Sequence, residues 1–434
     1  MGVTLRRRAV AAIALSATAA LALAACGRGG SGDKKNENIT LNVMVFGTFG
    51  YDDLYKQYEA SHPGVTIKEV GTGQGLDDEN NAVATALAAG TAPADVVALE
   101  EGTITQYKSQ PDDFVNFLDY GGASLQSNFL PWKWTEGSTA DGKVIGLGTD
   151  VGSLAMCYRT DLFAAAGLPT DRDAVSKLWP TWNDYINVGK QFAAKNTGAK
   201  FLDAATNVYN SILMQEAGKA GGYTYFDKSD KLVIDSNPVV KSAWDTTNQM
   251  IAAGLSAGLT SFSDDWTKGF QSASFATIAC PAWMLGTIKG DAGDSAAGKW
   301  DVAAVPGGGG NWGGSFLTVP SAGKHLQEAA DLAKFLTSPD SQLSVFKKVN
   351  NLPSAQVVYD NSDFKAFKND YFNNAPVGVI FGEGAKSLQP VYLGSKNQAV
   401  RNAVEDALRS VEQGKKSAAD AWQDALKNGA TAAK

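Results

Sequence analysis

Between residues 41 and 99 the hydrophobic period switches back and forth, and this switching constrains the fold more than any other feature. Leu41–Phe46 reads as a strand. Asp52–Ser61 carries Leu54, Tyr55 and Tyr58 at helical spacing and stops at Pro63-Gly64. Val65–Val70 alternates as a strand, Asn80–Ala89 is an Ala-rich helix closed by Gly90, and Asp95–Leu99 is an apolar strand. Three strands separated by helices require right-handed crossovers and a parallel sheet, so the class is α/β.

The rest of the chain continues in the same style. Leu154–Tyr158 is a strand, and Thr181-x-x-Asp184 opens a helix with Trp182, Tyr185, Ile186, Gly189 and Phe192 on one face. Short apolar strands are expected at Leu232–Ile234, Phe275–Ala279 and Val302–Val305. Glu328–Leu336 is helical and stops at Ser338-Pro339. Two helices close the chain, one carrying Val400, Val404, Leu408 and Val411 and stopping at Gly414. The other starts at Ser417-x-x-Asp420, carries Trp422 and Leu426, and stops at Gly429. A chain of 434 residues is expected to split its core between two lobes.

The start of the chain bears on location. Arg6, Arg7 and Arg8 precede an apolar run of 17 residues, Ala9 to Ala25, which is short for a membrane span and fits a secretory signal. Leu23-Ala24-Ala25-Cys26 resembles the lipobox of bacterial lipoproteins, in which the Cys receives a diacylglyceryl group; the alternative is an ordinary signal with a chance Cys. The expectation is a signal peptide over 1–25, a flexible Gly-, Ser- and charge-rich tether over 26–38, and a protein held at the outer face of the cell membrane by the lipid on Cys26 alone. Loss of residues 1–25 removes three arginines and no acid, moving the net charge from -7 to -10. That balance argues against nucleic acid as a partner. Only His62 and His325 are present, which argues against a His-rich metal site and most His-dependent triads, so no metal and no cofactor are expected. Cys157 and Cys280 lie in apolar segments that could be neighbouring strands; they either pair or remain buried thiols. Gly71-x-Gly73-x-Gly75 lacks dinucleotide-fold spacing, and Gly307–Gly310 lacks the Lys of a phosphate loop.

The segment order resembles the extracellular solute-binding proteins of ABC importers, in the sugar-binding family that includes maltose- and cello-oligosaccharide-binding proteins. Tyr58-Glu59-Ala60-Ser61-His62-Pro63-Gly64-Val65, Ala94-Asp95-Val96-Val97, Tyr158-Arg159-Thr160-Asp161-Leu162-Phe163, Trp179-Pro180-Thr181-Trp182, Ala279-Cys280-Pro281-Ala282-Trp283 and Lys334-Phe335-Leu336-Thr337-Ser338-Pro339 follow the family's marks in order. Ser263-Asp264-Asp265-Trp266 and the Gly307–Gly314 loop with Asn311-Trp312 are similar to cellobiose- and cellotriose-binding lipoproteins of Gram-positive bacteria. The resemblance implies a two-lobed periplasmic-binding-protein-like fold, an interlobe cleft and hinge crossings near Gly148–Ser153, Trp300–Val305 and Val349–Ser354. The lobes would comprise 39–149 with 302–350, and 150–301 with 351–434. It further implies a monomeric, non-catalytic carrier of cello-oligosaccharides, working with permease subunits and a separate ATPase. Chitobiose, xylo- or malto-oligosaccharides are the alternative ligands, and a surface glycosidase using Glu100 or Glu101 with Asp265, or a sugar sensor, the alternative roles.

A sugar binder needs flat aromatic surfaces for the CH faces and charged or amide groups for the hydroxyls. Trp283 is a stacking candidate from the family motif, and Trp312 because its Gly-rich loop cannot bury it locally. Trp266, in a stretch read as a loop, and Phe49, after the first strand, complete the aromatic set. Glu100 and Glu101 end the third strand at the sheet edge where open α/β sheets bind ligands. Asp150 marks the first crossing, Asn207 and Tyr209 a ligand-contacting stretch of the second lobe, and Asn397 the start of a cleft-facing helix. Asp78 follows a strand, where a helix N-terminus also favours acids.

Overall fold

The computed structural model describes residues 38–71 and 75–434. Cys26, the signal segment, nearly all of the expected tether and Gly73 lie outside the described residues.

The first hundred residues fold as their periodicity dictates: β1 (Ile39–Met44), α1 (Asp52–Ser61), β2 (Val65–Val70), α2 (Leu76–Ala88), β3 (Val96–Glu100) and α3 (Glu101–Tyr107). β1 lies between β2 and β3 and is parallel to both. Alternate residues of β3 serve different cores. Val96 and Ala98 pack with Leu41 and Val43, whereas Val97 and Leu99 pack with Met44 and Phe316.

The later strands are β4 (Leu147–Gly148), β5 (Asp150–Val151), β6 (Leu154–Arg159), β7 (Lys200–Leu202), β8 (Phe275–Pro281), β9 (Trp300–Ala303), β10 (Ser315–Thr318) and β11 (Leu352–Pro353). The first sheet has the order β2-β1-β3-β10-β4 and the second β7-β8-β6-β9, with β5 and β11 forming a separate pair. β10 has no counterpart in the sequence reading. It enters antiparallel between β3 and β4, which makes the first sheet mixed. The chain passes between sheets after β4, after β9 and around β11. Because β9 pairs with β6 along its whole length, the second passage begins after Ala303, and a boundary at 302 would cut a strand.

Three expectations differ from what forms. Leu232–Ile234 makes only an isolated bridge from Leu232 to Phe226, because Asp227 accepts from the amides of Ser229 and Lys231 and holds a tight turn. Ser338-Pro339 ends one helix but also starts another, Pro339–Val349: the Ser338 hydroxyl accepts from Ser341 N, and Pro occupies the first turn, where its missing N–H costs nothing. The final helix runs past Gly429 to Ala432, since Gly429 packs against Ile234 and Val400 instead of capping the end.

The second sheet is covered by an aromatic core in which Phe163, Trp179, Tyr185 and Phe192 surround Phe201. Cys157 and Cys280 form a disulfide between β6 and β8. The register sets Cys157 opposite Ile278 and Ala155 opposite Cys280, so the two thiols are diagonal neighbours on one face. No described helix is long and apolar enough to cross a membrane.

Candidate functional site

β3 ends at the edge of the first sheet, and Glu100 there caps α3 by accepting from Gly102 N at 2.7 Å. Glu101 follows. Its carboxylate accepts from Asn311 Nδ2 at 2.7 Å and from Gly313 N at 3.0 Å. Asn311 in turn accepts from Gly152 N at 2.8 Å, and Trp312 N donates to Gly152 O at 2.9 Å. Two crossings are thus tied to one another and to the end of β3, and Trp312 is held between the ties. Gly152 is needed for this approach, since a Cβ there would stand 1.8 Å from Trp312 O.

Facing this edge are the helix Ala205–Lys219, the segment Thr224–Tyr225 and the helix Asn397–Glu412. Together they enclose a pocket lined by Glu100, Glu101, Asn210, Tyr225, Trp312, Asn397 and Arg401, with Leu213, Met214 and Leu393 as apolar wall. Arg401 pairs with Glu405 at 2.8 Å, and Glu405 accepts from Asn210 Nδ2 at 2.8 Å. Thr224 donates to Asn397 Oδ1 at 3.4 Å. The cavity is about 20 Å³, room for about one water. A pyranose ring fits only if the walls separate. A larger recess of about 470 Å³ opens beside it, between α2, the end of α3 and Ser395-Lys396.

The electrostatics follow from burial. The Glu100 carboxyl is pushed up by burial, with Arg401 and the Gly102 amide pulling it back. Glu101 is pushed well above the usual carboxylate range by burial and then by the charge of Glu100. Burial opposes the Arg401 charge, but Glu405 and Glu100 outweigh it and raise the guanidinium further. Burial also opposes ionisation of Glu405, yet Arg401 and Asn210 prevail and hold it below the usual range. The pocket therefore offers a fixed cation, amides, hydroxyls, carboxyls and an indole, a set suited to hydroxyl-rich ligands.

Of the residues expected to bind ligand, Glu100, Glu101, Trp312 and Asn397 are brought together. Trp283 stands behind Trp312: it is half-buried, its ring meets Trp312 edge-on at 5.6 Å, and its Nε1 donates to Trp312 O at 3.2 Å. Tyr209 is buried behind Tyr225, whose hydroxyl donates to it at 3.2 Å. The others lie elsewhere. Trp266 sits in a helix, Asp264–Gln271, not in a loop; it is 1% exposed and its Nε1 donates to Asp203 at 2.8 Å. The Asn207 amide donates to Asp203 and accepts from Ser261, and although it stands one turn before Asn210 on the same helix it does not line the pocket. Phe49 is buried against Phe46 and Tyr51 in the first lobe's core. Asp150 accepts from Ser315 N and Thr149 Oγ1 and so fixes the crossing. Asp78 is exposed in the first turn of α2. Asp265 is solvent-exposed beside Lys268, far from a role as partner to the sealed Glu100 and Glu101.

Arg401, Asn210 and Tyr225 were missed by the sequence reading. Helical spacing could have found two of them: Arg401 is four residues after Asn397, and Asn210 three after Asn207. Among the described residues no group of three or more His, Cys, Asp or Glu could hold a metal ion.

The chain matches, over residues 53–371, the family of bacterial extracellular solute-binding proteins. The lactose-binding protein of Rhizobium radiobacter is 30% identical over 311 residues, covering 68% of each chain. The arabinooligosaccharide-binding protein of Bacillus subtilis is 26% identical over 306 residues, covering 66% of this chain and 68% of that one. The crystal structure of an extracellular solute-binding protein family 1 member is 42% identical and superposes with a TM-score of 0.80, over 91% of this chain and 100% of its own.

Proposed function

Because the chain belongs to the bacterial extracellular solute-binding protein family, we propose that it is the sugar-capturing subunit of an ABC importer, taking up a short oligosaccharide between its two lobes. Its named relatives are binding proteins, not enzymes, and this chain likewise binds without transforming its ligand. The observation that carries the reading is the convergence of Trp312, Glu100, Asn210, Tyr225, Asn397 and Arg401, from segments as far apart as 100 and 401, on one pocket. An aromatic face with fixed charged and amide groups is what a sugar ring requires. Delivery would be to permease subunits driven by a separate ATPase, with the protein acting as a monomer held at the outer face of the cell membrane through a lipid on Cys26.

The ligand we favour is a β-1,4-linked gluco-oligosaccharide such as cellobiose or cellotriose. The motif resemblance supports it, and so does the lactose-binding relative, since lactose and cellobiose share the β-1,4 link and differ at one hydroxyl. The test is calorimetric titration of the chain from Gly27 onward with cellobiose, cellotriose, lactose, maltotriose, xylotriose and chitobiose. One-to-one binding of the cello-sugars alone supports the full reading. Binding of another sugar keeps the importer role and discards the cellulose link, and silence across the panel rejects a sugar ligand.

A further inference from the structure

Phe262 is the most exposed large apolar residue among those described, at 57%. It sits in a turn at φ +65°, a region that bulky residues avoid and that Gly or Asn would fill without strain. The turn itself therefore gives no reason for an aromatic ring. The ring lies nearly parallel to Trp283, with centroids 6.2 Å apart and planes at 27°, and its inner side rests on Trp266 at 5.0 Å. Trp283 meets Trp312 at 5.6 Å, and Trp312 lines the pocket. An aromatic run thus leads from the pocket wall to solvent. Asp264 and Asp265, both exposed, begin the helix next to it and carry acceptors for hydroxyl groups.

Resting on the sugar-binding reading above, we propose that the exposed face of Phe262 is an outer stacking subsite for one further pyranose ring of an oligosaccharide whose inner part lies against Trp312. The exposed flat ring takes the CH face of the sugar. The ligand is then longer than a disaccharide, and the outer ring sets a preference for chain length.

The test is titration of the wild type, Phe262→Gly and Phe262→Trp with cellobiose, cellotriose and cellotetraose, and with lactose as a short comparison, alongside thermal melting. The wild type should tighten with chain length. Phe262→Gly should lose roughly three- to tenfold on the longest sugar, and less on the disaccharides. Its melting temperature should hold or rise because the backbone strain is relieved, whereas a merely structural ring would lower both. Phe262→Trp should restore the loss. If Phe262→Gly binds cellotetraose as the wild type does, or if the wild type gains nothing from added rings, the subsite is wrong while the sugar-binding reading stands. If the wild type binds none of these sugars, the subsite falls together with the β-1,4-linked ligand, and the wider sugar panel above decides whether the sugar-binding reading stands.

Discussion

The Glu101 carboxylate accepts from Asn311 Nδ2 at 2.7 Å across 210 positions of sequence, and the same Asn311 accepts from Gly152 N. One amide thus joins the end of β3 to two interlobe crossings, beside the indole that lines the pocket. Asn311→Ala leaves a buried carboxylate oxygen and a buried N–H without partners. The expected loss is about 1–3 kcal/mol of stability for each, together with weaker ligand binding, read by denaturant unfolding and titration.

Gly102 lies where the two walls meet: a Cβ there would be 3.5 Å from Gln398 Oε1 and 3.6 Å from Asn397 Nδ2. Gly102→Leu should act as a wedge that resists closure. Ligand affinity should fall by at least about tenfold, or ~1.4 kcal/mol, and ligand-induced compaction in small-angle scattering should disappear.

Gly152→Ala drives a methyl into Trp312 O and must displace the crossing loop, so binding and stability should fall together. Gly308 offers a contrast. It has φ +70° and open space around its Cβ position. Gly308→Ala should cost about 1 kcal/mol of stability through backbone strain and leave affinity close to the wild type. Equal effects of the two on binding would contradict the role given to the Gly152 contact.

Asp203 is buried beneath Trp266, and burial pushes its carboxyl up to about 7 against the hydrogen bonds from Trp266 and Asn207. The folded state therefore holds a proton that the unfolded chain, with an ordinary Asp, releases near pH 4. Stability from this group is full below about pH 4 and declines as pH rises towards 7, by up to about 4 kcal/mol. Unfolding measured from pH 5 to 8 should show this decline, and Asp203→Asn should flatten it.

The disulfide closes a loop of 123 residues within the second sheet. Replacing Cys157 and Cys280 together by Ala should remove about 2–5 kcal/mol. Sugar binding should persist in the variant below its lowered melting temperature, because neither sulfur lines the pocket.

Much of the fold was legible because its signals are local. The alternation of periods over 39–100, the Thr181–Asp184 capping box and the Ser417 cap act within a few residues, and each formed as read. β10 was not legible. Ser315–Thr318 is four residues long, and only pairing with β3 on one side and β4 on the other makes it a strand.

The site divides along the same line. The sequence by itself determined an α/β chain, the strand ends that bring Glu100 and Glu101 to a sheet edge, and the glycines that free Trp312 from local burial. Only the tertiary structure decided which side chains face the pocket. Trp266 and Trp312 both looked like sugar platforms, yet one is locked to Asp203 inside a core and the other lines the cavity. Asn207 and Asn210 stand one turn apart on one helix, yet Asp203 and Ser261 engage the first and only the second lines the pocket. The physical reason is that periodicity fixes which residues share a face of an element, while the direction of that face is set by rigid packing against segments hundreds of residues away.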